Sequence, residues 1–325
     1  MLKALCISKS INKTAIELLE SNNICIDIWD KINSPTEEEL TNLINEYDIL
    51  IIGVREKITN KMIRSLKHKV IIGSLSIGLD HIDKAYLSSN MIEVVNCQHS
   101  NVVSVAEHIL TLILDASKRI QESNDLVLEG KGNRKFLSKK PSDIYGKTIG
   151  LIGAGNITRK VVDFANFFNM KILCYTAHPN NHADLIQKGV TFVDLNSLLK
   201  LSDIINVSVP LNDNTKNLIS EEKVKLMKKD AIFVNTSRTE VADVTALITY
   251  AEENKNFYLG LDIDVNHYSD LFSKKRNNVI VTPHIAGCTK EATDRTFIEC
   301  AQNIINCINK INKDNNGISY VKKRN

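Results

Sequence analysis

Three segments carry residue types able to move a proton or hold a carboxylate. In "AIFVNTSR" an apolar run ends in Arg238. A guanidinium at the end of a sheet strand can grip a substrate carboxylate bidentately and lean on a neighbouring carbonyl. A solvent-facing loop arginine is the competing reading. In "NVIVTPHIAG" another apolar run ends in Pro283 and His284. Histidine suits general acid and base work because its unperturbed pKa lies near 6.5; a satisfied structural histidine is the alternative. Between them, "LGLDIDVNHY" carries Asp262, Asp264 and a second histidine, His267.

A fourth segment has the spacing of a phosphate cradle. "GKTIGLIGAGNITRKVVDFANFF" reads as a strand, the turn Gly153-Ala154-Gly155 and a helix. The first glycine makes the tight turn, and the second lets the backbone approach a pyrophosphate resting on the helix N-terminus. A further strand, "MKILCY", follows about 20 residues on, which is the context this motif needs. Two positions depart from the fingerprint. Thr158 replaces the third glycine, so helix and strand need more room. Thr176, followed by Ala177 and His178, replaces the acidic residue that binds the ribose 2′-hydroxyl and repels a 2′-phosphate. Thr176 repels nothing and His178 can assist a phosphate, yet 176–178 hold no arginine to grip one. The expected cofactor is NAD or NADP, with the balance tipped to NADP.

The elements that must position these residues alternate along the chain. "KALCIS", "ICIDIW", "DILIIG", "VIIGSLS" and "EVVNC" are short apolar runs separated by helical stretches at 11–19, 36–47 and 60–66. Such alternation implies right-handed βαβ units on a parallel sheet. "SNVVSVAEHILTLILDASKRI" then reads as one helix of about 20 residues, and the polar "EGKGNRKFLSKKPSD" as a loop. A second series runs through "KTIGLIGAGNI", "MKILCY", "VTFVD", "DIINVSV", "AIFVN", "YLGLDID" and "NVIVTP". The fold class expected is α/β, with two doubly wound parallel-sheet domains: one flavodoxin-like, the other a Rossmann dinucleotide-binding domain.

Composition narrows the function. The 325 residues suit two domains at about 100–200 residues each. A net charge of +3, with no basic stripe interleaved with aromatics, argues against nucleic-acid binding. No run approaches the roughly 18 apolar residues of a membrane span, and the polar start is no signal peptide. Seven scattered cysteines without metal-ligand spacing read as reduced thiols of a cytoplasmic protein, and no metal site is expected.

Seven segments in order, "GSLSIGLDHID", "SNVVSVAEHIL", "GKTIGLIGAGNI", "SDIINVSVPLNDNTKNLI", "IFVNTSR", "LGLDIDV" and "VTPHIAG", resemble the D-isomer-specific 2-hydroxyacid dehydrogenases. This family includes the phosphoglycerate, glyoxylate/hydroxypyruvate and formate dehydrogenases. The resemblance implies a discontinuous substrate domain (1–98 and 288–325), a nucleotide domain (99–287) and an active site in the cleft between them. It implies a homodimer formed through the nucleotide domain, and a small 2-hydroxy or 2-oxo acid as substrate. Arg238 would orient that acid and His284 would transfer the proton. The backbone of Ser76, Ile77 and Gly78 would bind the carboxylate. Asn101 would face the same cleft, unless it merely caps the long helix. Gly153, Gly155, Asn156, Ile157, Thr176, His178, Pro210, Thr236 and Asp262 would hold the cofactor. Thr239 stands where a glycine usually follows the arginine, which would alter that loop.

The family's histidine is usually paired with a glutamate five residues after the aspartate of "LD". Counting from Asp262 gives His267. Two facing imidazoles would titrate as a coupled pair. Without a carboxylate the proton on His284 would be held less tightly, moving carbonyl reduction to lower pH. A displaced loop that exposes His267, or a carboxylate from Asp264 or Asp270, are the alternatives. The missing glutamate leaves two further readings open: a formate-type dehydrogenase, although the glutamine of that branch is absent, and a catalytically weakened NAD(P)-binding regulatory protein.

Overall fold

The computed structural model of the chain describes residues 1–263 and 269–314. The chain divides into two compact units: Met1–Asn101 with the chain from Thr289 onward, and Val102–Cys288.

In the first unit, β1 (Leu2–Cys6), β2 (Ile24–Ile28), β3 (Ile49–Ile52), β4 (Val70–Ser74) and β5 (Ile92–Asn96) form one parallel sheet in the order β2-β1-β3-β4-β5. This is the flavodoxin-like order. All four residues of β3, Ile-Leu-Ile-Ile, are buried. A parallel strand covered on both faces must be apolar throughout, which explains the uninterrupted run. The helix Glu37–Glu46 opens with a reciprocal capping box between Thr36 and Glu39. The Lys290–Asp314 helix returns to this unit and packs Cys300, Ala301 and Ile304 into its core.

In the second unit, β6 (Thr148–Ile152), β7 (Lys171–Tyr175), β8 (Val190–Phe192), β9 (Ile204–Val207), β10 (Ile232–Asn235), β11 (Tyr258–Asp262) and β12 (Val279–Thr282) pair in the order β12-β11-β10-β9-β6-β7-β8. All are parallel. Side chains alternate between two cores. Ile149, Leu151, Ile232 and Val234 face one layer, and Ile152, Ile205, Val207 and Phe233 the other. The strand order reverses between β6 and β9, which makes the ends of these strands the crevice where α/β sheets bind ligands. Both sheets are doubly wound, as the alternation predicts.

The helix expected over 100–120 runs over Val102–Lys118, and a second helix, Ile120–Leu128, follows it where the sequence predicts none. Arg119 between them is left-handed, with φ 58°. It is almost wholly buried and lies over the Tyr258 ring, 5.5 Å from its centroid. The Asp115 side chain accepts from Gln121 N at 2.9 Å just past the break. These contacts outweigh the helical propensity of a stretch that contains neither glycine nor proline. Among the described residues no helix is long and apolar enough to cross a membrane.

Candidate active site

The phosphate-cradle turn follows β6. Gly153 has φ 104°, and a Cβ there would stand 2.4 Å from Ser208 O at the end of β9. Only glycine meets both demands. A Cβ on Gly155 would meet nothing within 4 Å. Gly155 is also the N-cap of the Asn156–Phe167 helix, whose first turn has no side-chain cap. The open space and the positive helix end suit a pyrophosphate. Thr158, at the position of the third glycine, is fully buried and donates its hydroxyl to Gly153 O at 2.9 Å. Asn156 and Ile157 are half-buried in the same first turn.

Past β7, Thr176 is half-buried and His178 exposed, and His178 N reaches Thr176 Oγ1 at 3.5 Å. Arg159 donates to Ala154 O at 2.7 Å and to Asp184 at 2.7 and 3.2 Å, and lies 3.3 Å from His182 Nδ1. Its guanidinium holds the Asp184 carboxyl below the usual range. Arg159 stands in the first turn after the glycines, outside any window centred on the end of β7. Pro210 is exposed and Thr236 half-buried, each just beyond a strand end of the same sheet.

Arg238 follows β10, held by a residue the sequence did not single out. Asn235 is fully buried, accepts from Ser237 N at 2.9 Å and Ser237 Oγ at 2.7 Å, and donates to Arg238 O at 3.1 Å. The turn is therefore fixed from inside while the arginine stays half-buried. Thr239 is buried at the start of the short turn Thr239–Val241 and is not among the residues with positive φ. The backbone here requires no glycine at 239.

His284 is exposed on the turn after β12, with φ 56°. A histidine in the left-handed region is costly unless its surroundings fix it. Asp262, at the end of β11, does the fixing. It is fully buried, and its Oδ1 accepts from Thr282 Oγ1 at 2.6 Å and Ile285 N at 2.8 Å, its Oδ2 from Ala286 N at 2.8 Å. Beyond the turn, Cys288 Sγ lies 3.6 Å from His284 O, and burial, helped by the Asp262 charge, pushes this thiol up so that it remains a neutral donor. His267 and Asp264 lie outside the described residues. Asp270 is exposed on the short helix Ser269–Phe272.

In the first unit, the loop after β4 is tied down by its carbonyls. Ser76 O accepts from Cys97 N at 3.1 Å, Ile77 O from Asn96 Nδ2 at 2.7 Å, and Gly78 O from Ser76 Oγ at 2.6 Å. Among the described residues the N–H groups of Ile77 and Gly78 have no acceptor, which leaves this loop two donors able to meet an anion. Ser74 Oγ supports it from below, bonded to Ser76 Oγ at 2.8 Å and to His81 Nε2 at 3.1 Å. Asn101 does not cap a helix: its Oδ1 is buried and accepts no hydrogen bond.

Residues 110–286 match the model of the D-isomer specific 2-hydroxyacid dehydrogenase, NAD binding domain. The chain is 37% identical over 273 residues to the hydroxypyruvate reductase of Thermotoga maritima, covering 82% of this chain and 87% of that one. It is 30% identical over 307 residues to the glyoxylate reductase of Pyrococcus furiosus, covering 92% and 90%. Among solved structures it resembles an acyclic imino acid reductase (Bsp5) in complex with NADPH and D-Arg, with TM-score 0.84 and 30% identity over 95% of this chain and 98% of that one. With the glycine turn, the Rossmann strand order and these matches together, the chain belongs to the D-isomer specific 2-hydroxyacid dehydrogenase family, and is an oxidoreductase dependent on a nicotinamide cofactor.

Proposed function

We propose that the chain interconverts a small 2-oxo acid and the D-2-hydroxy acid, with Arg238 orienting the substrate and His284 transferring the proton. The observation that carries this reading is the pair of pinned turns. Asn235 fixes the turn of Arg238 and Asp262 fixes that of His284, at the ends of β10 and β12 on either side of β11. Turns held this firmly, one carrying a half-buried arginine and the other an exposed histidine, support that reading.

The nicotinamide supplies or accepts the hydride. In the reductive direction Arg238 holds the carboxylate and draws electron density towards the carbonyl oxygen. His284 gives that oxygen the proton it needs as the carbon is reduced, and in the oxidative direction takes it back from the hydroxyl. The Ile77 and Gly78 N–H groups of the first unit are assigned to an anionic group. Gly153, Gly155, Asn156 and Ile157 are assigned to the pyrophosphate, and Pro210 and Thr236 to the rest of the cofactor. NADP is favoured over NAD, because Thr176 carries no charge to repel a 2′-phosphate and His178 and His182 add ionisable groups past β7. The roles of nucleotide domain for 99–287 and substrate domain for 1–98 and 288–325 belong to this reading. So do a cytoplasmic setting and a homodimer that covers the exposed Ile120, Val127 and Leu128.

A second reading, reduction of a 2-imino acid, is favoured by the 30% identity over nearly both full chains to the imino acid reductase. One variant separates the two. A neutral carbonyl needs an acid as hydride arrives, whereas a protonated imine does not. NADH and NADPH oxidation is followed by absorbance with glyoxylate, hydroxypyruvate and pyruvate, with and without ammonium, from about pH 5 to 8. His284→Asn should lower 2-oxo acid reduction by about 10²–10⁴-fold. Turnover only with ammonium present, and unchanged in His284→Asn, would replace the first reading by the second.

A further inference from the structure

His108 sits on the Val102–Lys118 helix among apolar neighbours, Val105, Ile109 and Leu112, that face the sheet. Its side chain is only 18% exposed. An apolar residue would pack there without the cost of desolvating an imidazole, so the histidine calls for a reason. Nε2 lies 3.0 Å from Thr282 Oγ1 and 3.8 Å from Asp262 Oδ1.

Proton counting fixes the direction of this chain. Thr282 has one hydroxyl proton, and the 2.6 Å contact to the Asp262 carboxylate takes it. Thr282 Oγ1 can then only accept from the ring, so Nε2 carries a proton and donates. His108 therefore ends a relay that runs through Thr282 to the carboxylate holding Ile285 N and Ala286 N.

The helix is held in register for this contact. His108 meets the end of β11 at Asp262, Leu112 lies over Gly260, and Asp115 accepts from the Tyr258 hydroxyl at 2.5 Å. Residues 108, 112 and 115 share one helix face and descend the strand in reverse order. Their span of about 10 Å along the helix approaches the roughly 13 Å from 258 to 262 along the strand. A Cβ on Gly260 would already stand 3.3 Å from Leu112 Cβ, so the glycine permits this close approach.

We infer that His108 is a positioning residue for proton transfer at His284, acting through Thr282 and Asp262 on the turn that carries it. The inference rests on the proposed role of His284, and two measurements keep the claims apart. The first is kcat against KM for reduction of hydroxypyruvate and glyoxylate by His108→Leu and His108→Gln. The second is hydrogen exchange at the Ile285 and Ala286 amides, which needs no activity.

His108→Leu should lower kcat about 10-fold or more while leaving the cofactor KM within about twofold, since a small displacement of a reacting group costs rate more than binding. The same variant should speed exchange at both amides about 10-fold. His108→Gln, which keeps a donor, should restore most of each. Should His108→Leu fail to fold, Thr282→Val breaks the same relay at its middle atom and is read in the same two ways. Unchanged exchange in the variant that lacks the donor overturns the inference, as does a glutamine variant no better than leucine. If exchange responds but the wild type reduces neither acid, the positioning role stands and the proposed reaction fails.

Discussion

Two turns at the strand ends of one sheet both force the chain into the left-handed region, and they reach it by opposite means. After β6 the chain uses a residue that adopts such backbone freely: Gly153, φ 104°, with Ser208 O where a side chain would begin. After β12 it uses His284, φ 56°, a residue that resists it. That turn is held by three hydrogen bonds into one buried carboxylate from the neighbouring strand. The first turn needs an absence of side chain because the end of β9 comes too close to admit one. The second needs a particular side chain at its tip, so its conformational cost is met from below. A glycine turn carries its cause in its own sequence. An anchored turn keeps its cause elsewhere.

The sharpest way to break this comparison is to remove the anchor. Asp262→Asn preserves the shape but sets an amide where a carboxylate accepted all three bonds, so at least one N–H or O–H faces another donor. Charge-assisted bonds contribute about 1.5–3 kcal/mol each, and a buried donor left unsatisfied costs a similar amount. A loss of about 3–6 kcal/mol is expected. Thermal unfolding should show a fall of roughly 10 °C or more at a few degrees per kcal/mol. Turnover should drop about 10²-fold from misplacement of His284 alone. A variant that keeps its melting temperature and activity would mean the turn is stable on its own backbone.

Gly153→Ala tests the other side. The added methyl group meets Ser208 O at 2.4 Å and Val209 Cγ1 at 2.9 Å, on backbone that L-residues avoid. The left-handed conformation costs about 1–2 kcal/mol and the overpacking about 1–3 more. The expected loss is smaller than for Asp262→Asn in stability, and falls chiefly on cofactor affinity, measured by titration with NADPH. Binding and melting temperature equal to wild type would mean β6 and β9 can part to admit a side chain.

What the sequence disclosed follows the same division. The alternation of strands and helices, the glycine turn and the chain positions of Arg238 and His284 are local patterns, visible in windows of a few residues. The groups that hold them are not. The bonds that Asp262 accepts come from a turn 20 or more residues later, and His108 reaches Thr282 across 174 positions. Asn235 drew no notice because an asparagine at a strand end looks like ordinary loop punctuation. The separate helix Ile120–Leu128 is hard to read for a related reason: nothing local marks a break at Arg119, and the contact with Tyr258 that favours it comes from β11.

The smallest effect should come from Thr158, and it decides how self-sufficient the glycine turn is. Its hydroxyl donates to Gly153 O at 2.9 Å, but Cys174 Sγ also approaches that carbonyl at 3.5 Å. Thr158→Val removes the stronger donor while nearly conserving volume, and leaves the carbonyl with a weak partner rather than none. The expected cost is about 0.5–1.5 kcal/mol, a few degrees in melting temperature, with NADPH affinity within about threefold of wild type. If affinity instead falls tenfold or more, the threonine bond is holding the cradle open. The turn after β6 would then depend on a side chain as the turn after β12 does, and the contrast between them would be one of degree.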